Sequence, residues 1–121
     1  MTNFIYHITS QFAWSAAQKK GIYSTGSLAD DGFIHCSEEN QILRVANSFF
    51  VNQHGLVILI IDPSKLNPEV RWEAGSDKAD ELFPHIYGLL NLEAVVCVLD
   101  FEPGGDGRFF LPQSLVPFDH E

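Results

Sequence analysis

The sequence predicts a domain of the α+β class, and three observations carry that reading. Phe4 to Thr9 alternates in polarity like a strand, the run Leu56 to Ile61 is apolar on both faces, and Ile42, Val45, Ala46, Phe49 and Phe50 recur at helical spacing. Strands and helices are interspersed, yet the connection from Val70 to Ala94 holds no clear crossover helix, so a doubly wound sheet is not expected.

Each element follows from local signals. In the first strand, Phe4, Tyr6 and Ile8 share one face and Ile5, His7 and Thr9 the other. Ser10 caps a helix running to about Lys19, which Lys19, Lys20 and Gly21 close. Ser27 to Asp30 forms one helical turn before Asp31-Gly32, and Phe33 to Cys36 is a second strand with Ile34 and Cys36 opposite Phe33, His35 and Ser37. Ser37, followed by Glu38 and Glu39, reads as the N-cap of the amphipathic helix. Leu56 to Ile61 is a central strand stopped by Asp62-Pro63, Val70 to Glu73 a short strand, and Ala94 to Phe101 a longer one. The polar stretch Gly75 to Pro84 reads as a mobile loop whose continuation, FPHIYG, leads to the last strand. EPGGDG is a turn before RFFLP.

Composition narrows the function. At 121 residues, 45% hydrophobic with ten phenylalanines and 19% charged, the chain fits one domain, residues 1–121, with a core that needs neither disulfide nor metal. Seven Lys plus Arg against sixteen Asp plus Glu leave a formal charge of -9, which repels long nucleic acid and anionic lipid. A small phosphate-bearing ligand stays compatible with that field, because a few local donors outweigh screened distant charges. The N-terminal stretch lacks a basic leader and a long apolar core, and the longest apolar run is too short for a bilayer, so a cytoplasmic location and no membrane partner are expected. Cys36 and Cys97 read as reduced thiols.

Three histidines stand in settings that suit chemistry: His7 in YHIT, His35 in GFIHCS and His85 in FPHIYG. An imidazole handles protons near neutral pH, so these three are the catalytic candidates. Each also has an ordinary use, as a packed ring bonded to backbone. Glu73, after Trp72, joins them as a carboxylate able to stabilise an oxocarbenium-like ribosyl cation, although an exposed strand carboxylate has the same appearance. Tyr23 and Tyr87 are candidates to stack on a planar ligand. His7-Ile8-Thr9 and His35-Cys36-Ser37 form two His-x-Thr/Ser motifs, as in two-histidine phosphoesterases, where one ring is base, the other acid, and Thr9 and Ser37 hold phosphate. No His-x-x-x-His or Cys-x-x-Cys spacing supports a metal site, so no metal is expected.

YHIT, Trp14, Ala17, GIY at Gly21 to Tyr23, Ser27-Leu28, GFIHCS and FPHIYG together resemble the bacterial family called domain of unknown function 952, from about Tyr6 to Phe101. That family is similar to the ADP-ribosyltransferase-like superfamily, which implies split β-sheets with flanking helices and a cleft for NAD. YHIT resembles the first-strand His-Gly-Thr motif of that superfamily, with Ile8 in place of the glycine, and GFIHCS resembles a histidine-rich strand of RNA phosphotransferases. The resemblance implies that His7 contacts a ribose of NAD, that His35 and Ser37 line the opposite wall, and that Tyr23 or Tyr87 covers the nicotinamide. The expected partner is a small nucleotide, bound for ADP-ribosyl or phosphotransfer-type chemistry. The alternatives are a two-histidine phosphoesterase-like hydrolase and a non-catalytic small-molecule binding domain.

Overall fold

The computed structural model describes residues 3–75, 80–112 and 115. Its strands are β1 (Ile5–Ser10), β2 (Ile22–Tyr23), β3 (Ile34–His35), β4 (Leu56–Ile61), β5 (Glu69–Ala74), β6 (Leu82–Tyr87), β7 (Leu90–Asn91) and β8 (Val95–Phe101). Its helices are α1 (Gln11–Lys20), α2 (Gly26–Asp31) and α3 (Ile42–Phe49). The strands form a β1-β4-β8 sheet, a β3-β6-β5 sheet and a β2-β7 pair, all antiparallel, which makes the architecture α+β.

The LVILII run becomes the middle strand of the first sheet, with all six residues buried. It separates two apolar clusters. Val57, Leu59 and Ile61 pack with Ile5, Trp14 and Ala17 on the α1 side, while Leu56, Ile58 and Ile60 pack with Tyr6, Ile8, Ile42 and Ala46 on the α3 side. The two faces of β1 divide in the same way, as their alternation predicts. Ser10 Oγ accepts from Ala13 N–H at 3.0 Å to start α1, and Gly21, at φ 84°, ends it.

The second sheet presents one face to the core and the other to chemistry. Ile34, Cys36 and Ile86 point into the α1-side cluster. The opposite face carries His35 beside His85 beside Arg71 in register, with Phe83 paired to Glu73 one step along. The two sheets meet at a single bridge, where Tyr6 N–H donates to Ser37 O and Ser37 N–H to Tyr6 O, each at 2.8 Å.

That bridge corrects the expected helix start. The helix begins at Ile42 instead of Ser37, because pairing with β1 holds Ser37 extended. Gln41 takes the N-cap position without a side-chain cap bond: its Oε1 accepts from Glu38 N–H at 2.9 Å, while Gln41 and Ile42 N–H both donate to Glu38 O.

FPHIYG is the second correction. It belongs to β6, the centre of the second sheet, although Pro84 argues against an inner strand. Pro84 O accepts from Cys36 N–H at 3.1 Å, so Pro84 still pairs with β3 through its carbonyl, one residue before Ser37 bonds to Tyr6 on the other edge. Of the stretch expected to be mobile, residues 76–79 lie outside the described residues, and Leu82 onward is strand. The short pair of β2 with β7 carries no clear sequence signal. No helix among the described residues is long and apolar enough to cross a membrane.

Because Leu59 is fully buried at the centre of β4, Leu59→Ala is expected to cost about 2–5 kcal/mol in urea unfolding. Phe12, 84% exposed on α1, is expected to tolerate Phe12→Ser within about 0.5 kcal/mol.

Candidate functional site

His7, His35 and His85 arrive from β1, β3 and β6, and all three line one cavity of about 360 Å³ between the second sheet and α3. Ser37, Thr25 and Ser27 bring hydroxyls to the same wall, and Ile42, Val45, Phe49 and Phe83 make the rest of it apolar. Among the described residues that line it, none is Lys, Arg, Asp or Glu.

The three imidazoles differ in what is left of their hydrogen-bonding capacity. His7 Nδ1–H donates to His35 O at 2.6 Å, since a carbonyl only accepts, and in the neutral ring Nε2 then accepts from Tyr23 O–H at 2.7 Å. Thr9 stands near the Tyr23 hydroxyl. Burial is the main reason that the His7 pKa falls to about 4, and burial likewise pushes the Tyr23 phenol up to about 12. With both nitrogens engaged and the ring held neutral, His7 is a post that ties β1 to β3 and has no lone pair to offer a substrate.

His85 has the opposite balance. Its Nδ1–H donates to Glu73 Oε1 at 2.8 Å, an oxygen that also accepts from Tyr87 O–H at 2.5 Å. Those two bonds, Tyr87's first, hold the Glu73 carboxyl below its ordinary range, and Glu73 in turn raises the Tyr87 pKa. Nε2 of His85 has no partner among the described residues, although the residue is only 3% exposed. No side-chain nitrogen or oxygen described is both sealed from solvent and unpaired, so this atom meets open volume. Phe33 stacks on the ring at 4.0 Å between centroids and fixes its plane.

His35 lies at the rim. Its Nε2 is 3.1 Å from Asp31 Oδ2, with both side chains half exposed. Asp31 reaches it because α2 ends there, at Gly32 with φ 89°, a left-handed turn that favours glycine. The His35 and His85 rings stand edge to face with centroids 5.5 Å apart.

The other sequence candidates sit elsewhere. Glu73, on β5, bonds His85 and Tyr87 of β6, and neither Glu73 nor Tyr87 is among the lining residues. Tyr23 and Thr9 stand behind His7, with Tyr23 2% exposed in the core. Neither tyrosine covers the cavity. Among the described residues, no group of three His, Cys, Asp or Glu side chains is placed to hold a metal ion.

The model of the family described as "Protein of unknown function (DUF952)" matches residues 8–98, which include His35, Glu73 and His85. The chain belongs to the DUF952 family. The crystal structure of CC0527 from Caulobacter crescentus is similar to it, at 33% identity and a TM-score of 0.81, covering 93% of this chain and 97% of that one. A double mutant of CC0527 gives 32% identity and the same TM-score over the same shares. The solution structure of CC0527 gives 33% identity and a TM-score of 0.75 over 92% of each chain. No curated protein matches the chain.

Within this DUF952 chain, the sequence reading missed Asp31, Thr25 and the cavity-facing side of α3. Asp31 had a usable signal, a carboxylate four residues before a histidine across a glycine turn. Thr25 had none, because its place depends on how α2 folds back.

The His7 pKa has a consequence for stability. The unfolded ring takes up its proton near 6.5 and the folded ring near 4, so the unfolded state binds more protons between those values. Stability is therefore full above about pH 6.5 and falls as the pH drops toward 4, by up to about 3 kcal/mol. Urea midpoints measured across that window are expected to show the fall in the wild type and to lose this component in His7→Gln. Parallel curves would contradict it.

Proposed function

We propose that the cavity is the active site of a small-molecule hydrolase or transferase in which His85 and His35 form an acid–base pair. One observation carries this reading: two imidazoles from adjacent strands face one cavity, and each is held by a carboxylate through one nitrogen. The two rings touch edge to face, with centroids 5.5 Å apart, so both can address one group at the same end of the cavity. Glu73 fixes the proton of His85 on Nδ1 and leaves Nε2 bare, the state of a general base. Asp31 engages Nε2 of His35 at 3.1 Å, and His35 takes the acid role of the pair. The pair differs from the His7 and His35 of the two-histidine motif, because His7 has no nitrogen to spare.

A compact ligand suits the volume, which lies at the small end of the roughly 300–1,000 Å³ range of ligand sites. The resemblance to ADP-ribosyltransferase-like proteins, and the division into two sheets, keep NAD or a related nucleotide as a proposed ligand. Its base and ribose would enter, and its diphosphate would stay outside a wall without cationic side chains.

Calorimetric titration and turnover assays with NAD, a cyclic phosphodiester nucleotide and an aryl ester test this proposal. His85→Gln and His35→Gln are each expected to lower kcat by about 10²- to 10⁴-fold on the substrate that reacts, with a bell-shaped pH profile in the wild type. Full turnover in both variants would contradict the acid–base pair. Binding without turnover would assign the cavity to a non-catalytic domain.

A further inference from the structure

We propose that Ser37 is the nucleophile of this cavity, activated by His85 and Glu73, and that its substrates are small carboxylic esters with an apolar acyl group. The inference rests on the acid–base role of His85 and adds to it a covalent step and a substrate class.

Ser37 is 4% exposed, and its hydroxyl has no hydrogen-bond partner among the described residues. Pairing with Tyr6 uses its backbone N–H and C=O, and its side chain caps no helix because α3 starts only at Ile42. Since no described side-chain oxygen is both sealed and unpaired, Oγ opens onto the cavity that Ser37 lines.

Register brings it to His85. The bond from Cys36 N–H to Pro84 O extends the β3–β6 pairing one step beyond His35 and His85, and continuing that register by one residue would set Ser37 opposite Phe83 and diagonal to His85, on the face that carries His35. Glu73 has the mirror relation on the far side of β6, opposite Phe83 and diagonal to His85, and it closes that diagonal to 2.8 Å. Diagonal neighbours lie about 7–8 Å apart, within reach of a ring side chain. Ser37, His85 and Glu73 thus follow one another across three strands, in the order nucleophile, base and orienting carboxylate. The neighbouring thiol of Cys36 is no substitute, because burial raises its pKa and holds it protonated.

The wall selects the substrate. A phosphate monoester would bring two charges to a surface with no Lys or Arg, whereas a neutral carbonyl with an apolar chain matches Ile42, Val45, Phe49 and Phe83. Ser37 Oγ attacks the acyl carbon and passes its proton to His85 Nε2. His35 donates a hydrogen bond to the carbonyl oxygen as negative charge develops there. The ester C–O bond breaks, the leaving alcohol takes the proton from His85, and an acyl-serine remains. Water then repeats the sequence, releasing the carboxylic acid and restoring the Ser37 hydroxyl.

The test exposes the full chain to phenylmethanesulfonyl fluoride and, separately, to p-nitrophenyl acetate, butyrate and octanoate. Expected results are one sulfonyl group per chain mapped by mass spectrometry to Ser37, and a one-equivalent burst of nitrophenol with the ester. His85→Gln should slow labelling about 100-fold or more, and Ser37→Ala should abolish both signals. Ser37→Cys, nearly isosteric, should fold and restore the burst through a thioester. No labelling, labelling at Ser27 or Thr25, or a burst that survives in Ser37→Ala would overturn the nucleophile. Ester turnover kept in Ser37→Ala and lost in His85→Gln would overturn it while sparing the acid–base pair; turnover kept in both would remove the two together.

Discussion

Tyr6 and Ser37 exchange two backbone hydrogen bonds, and one residue along β1 the His7 ring donates to the carbonyl of His35. These three bonds join two sheets whose strands otherwise pair only among themselves. The cavity lies against this contact, lined by Tyr6, His7 and Ile8 of β1, by His35 and Ser37, and by Ile42, Val45 and Phe49 of α3. The same contact holds Ser37 in an extended conformation, delays α3 to Ile42, and leaves a serine hydroxyl free. It also sets β3 in the register that brings His35 beside His85.

Given that frame, hydrogen-bond capacity separates the histidines more sharply than position does. All three line the cavity, but a ring spent on a carbonyl and a phenol cannot also act on a ligand. His7 serves to make the site exist. His85, clamped by Glu73 on one nitrogen and by Phe33 on one face, keeps a fixed direction and an empty lone pair. This is the arrangement by which orienting a base lowers the cost of proton transfer. The acidic net charge shows in the same geography: Asp31 and Glu73 are both placed behind imidazoles, and no carboxylate stands in the wall itself.

Much of this was legible in the sequence wherever a local signal and the tertiary contact agree. The alternation of Phe4 to Thr9, the cap at Ser10 with its closing Gly21, and the two-sided burial of Leu56 to Ile61 all appear as read. The convergence of His7, His35 and His85 was expected from their settings, and the coordinates bring them to one cavity. The failures share a cause. Ser37 before two glutamates is a good N-cap, but pairing with Tyr6 outweighs that preference, which is worth only about 1 kcal/mol. Pro84 disguises β6 because it still pairs with Cys36 through its carbonyl alone, a fact that no local pattern encodes. The bond of Glu73 to His85 was not legible, since only the β5–β6 register reveals that the two lie diagonal to one another.

The division of labour among the imidazoles is tested most directly by long-range proton–nitrogen NMR of the histidine rings through a pH titration. The account predicts that His7 and His85 both carry their neutral-state proton on Nδ1, and that His7 remains neutral to about pH 5, well below the ordinary value near 6.5. A His7 ring that takes up a proton near pH 6.5, or a His85 ring protonated on Nε2 in its neutral state, would contradict it.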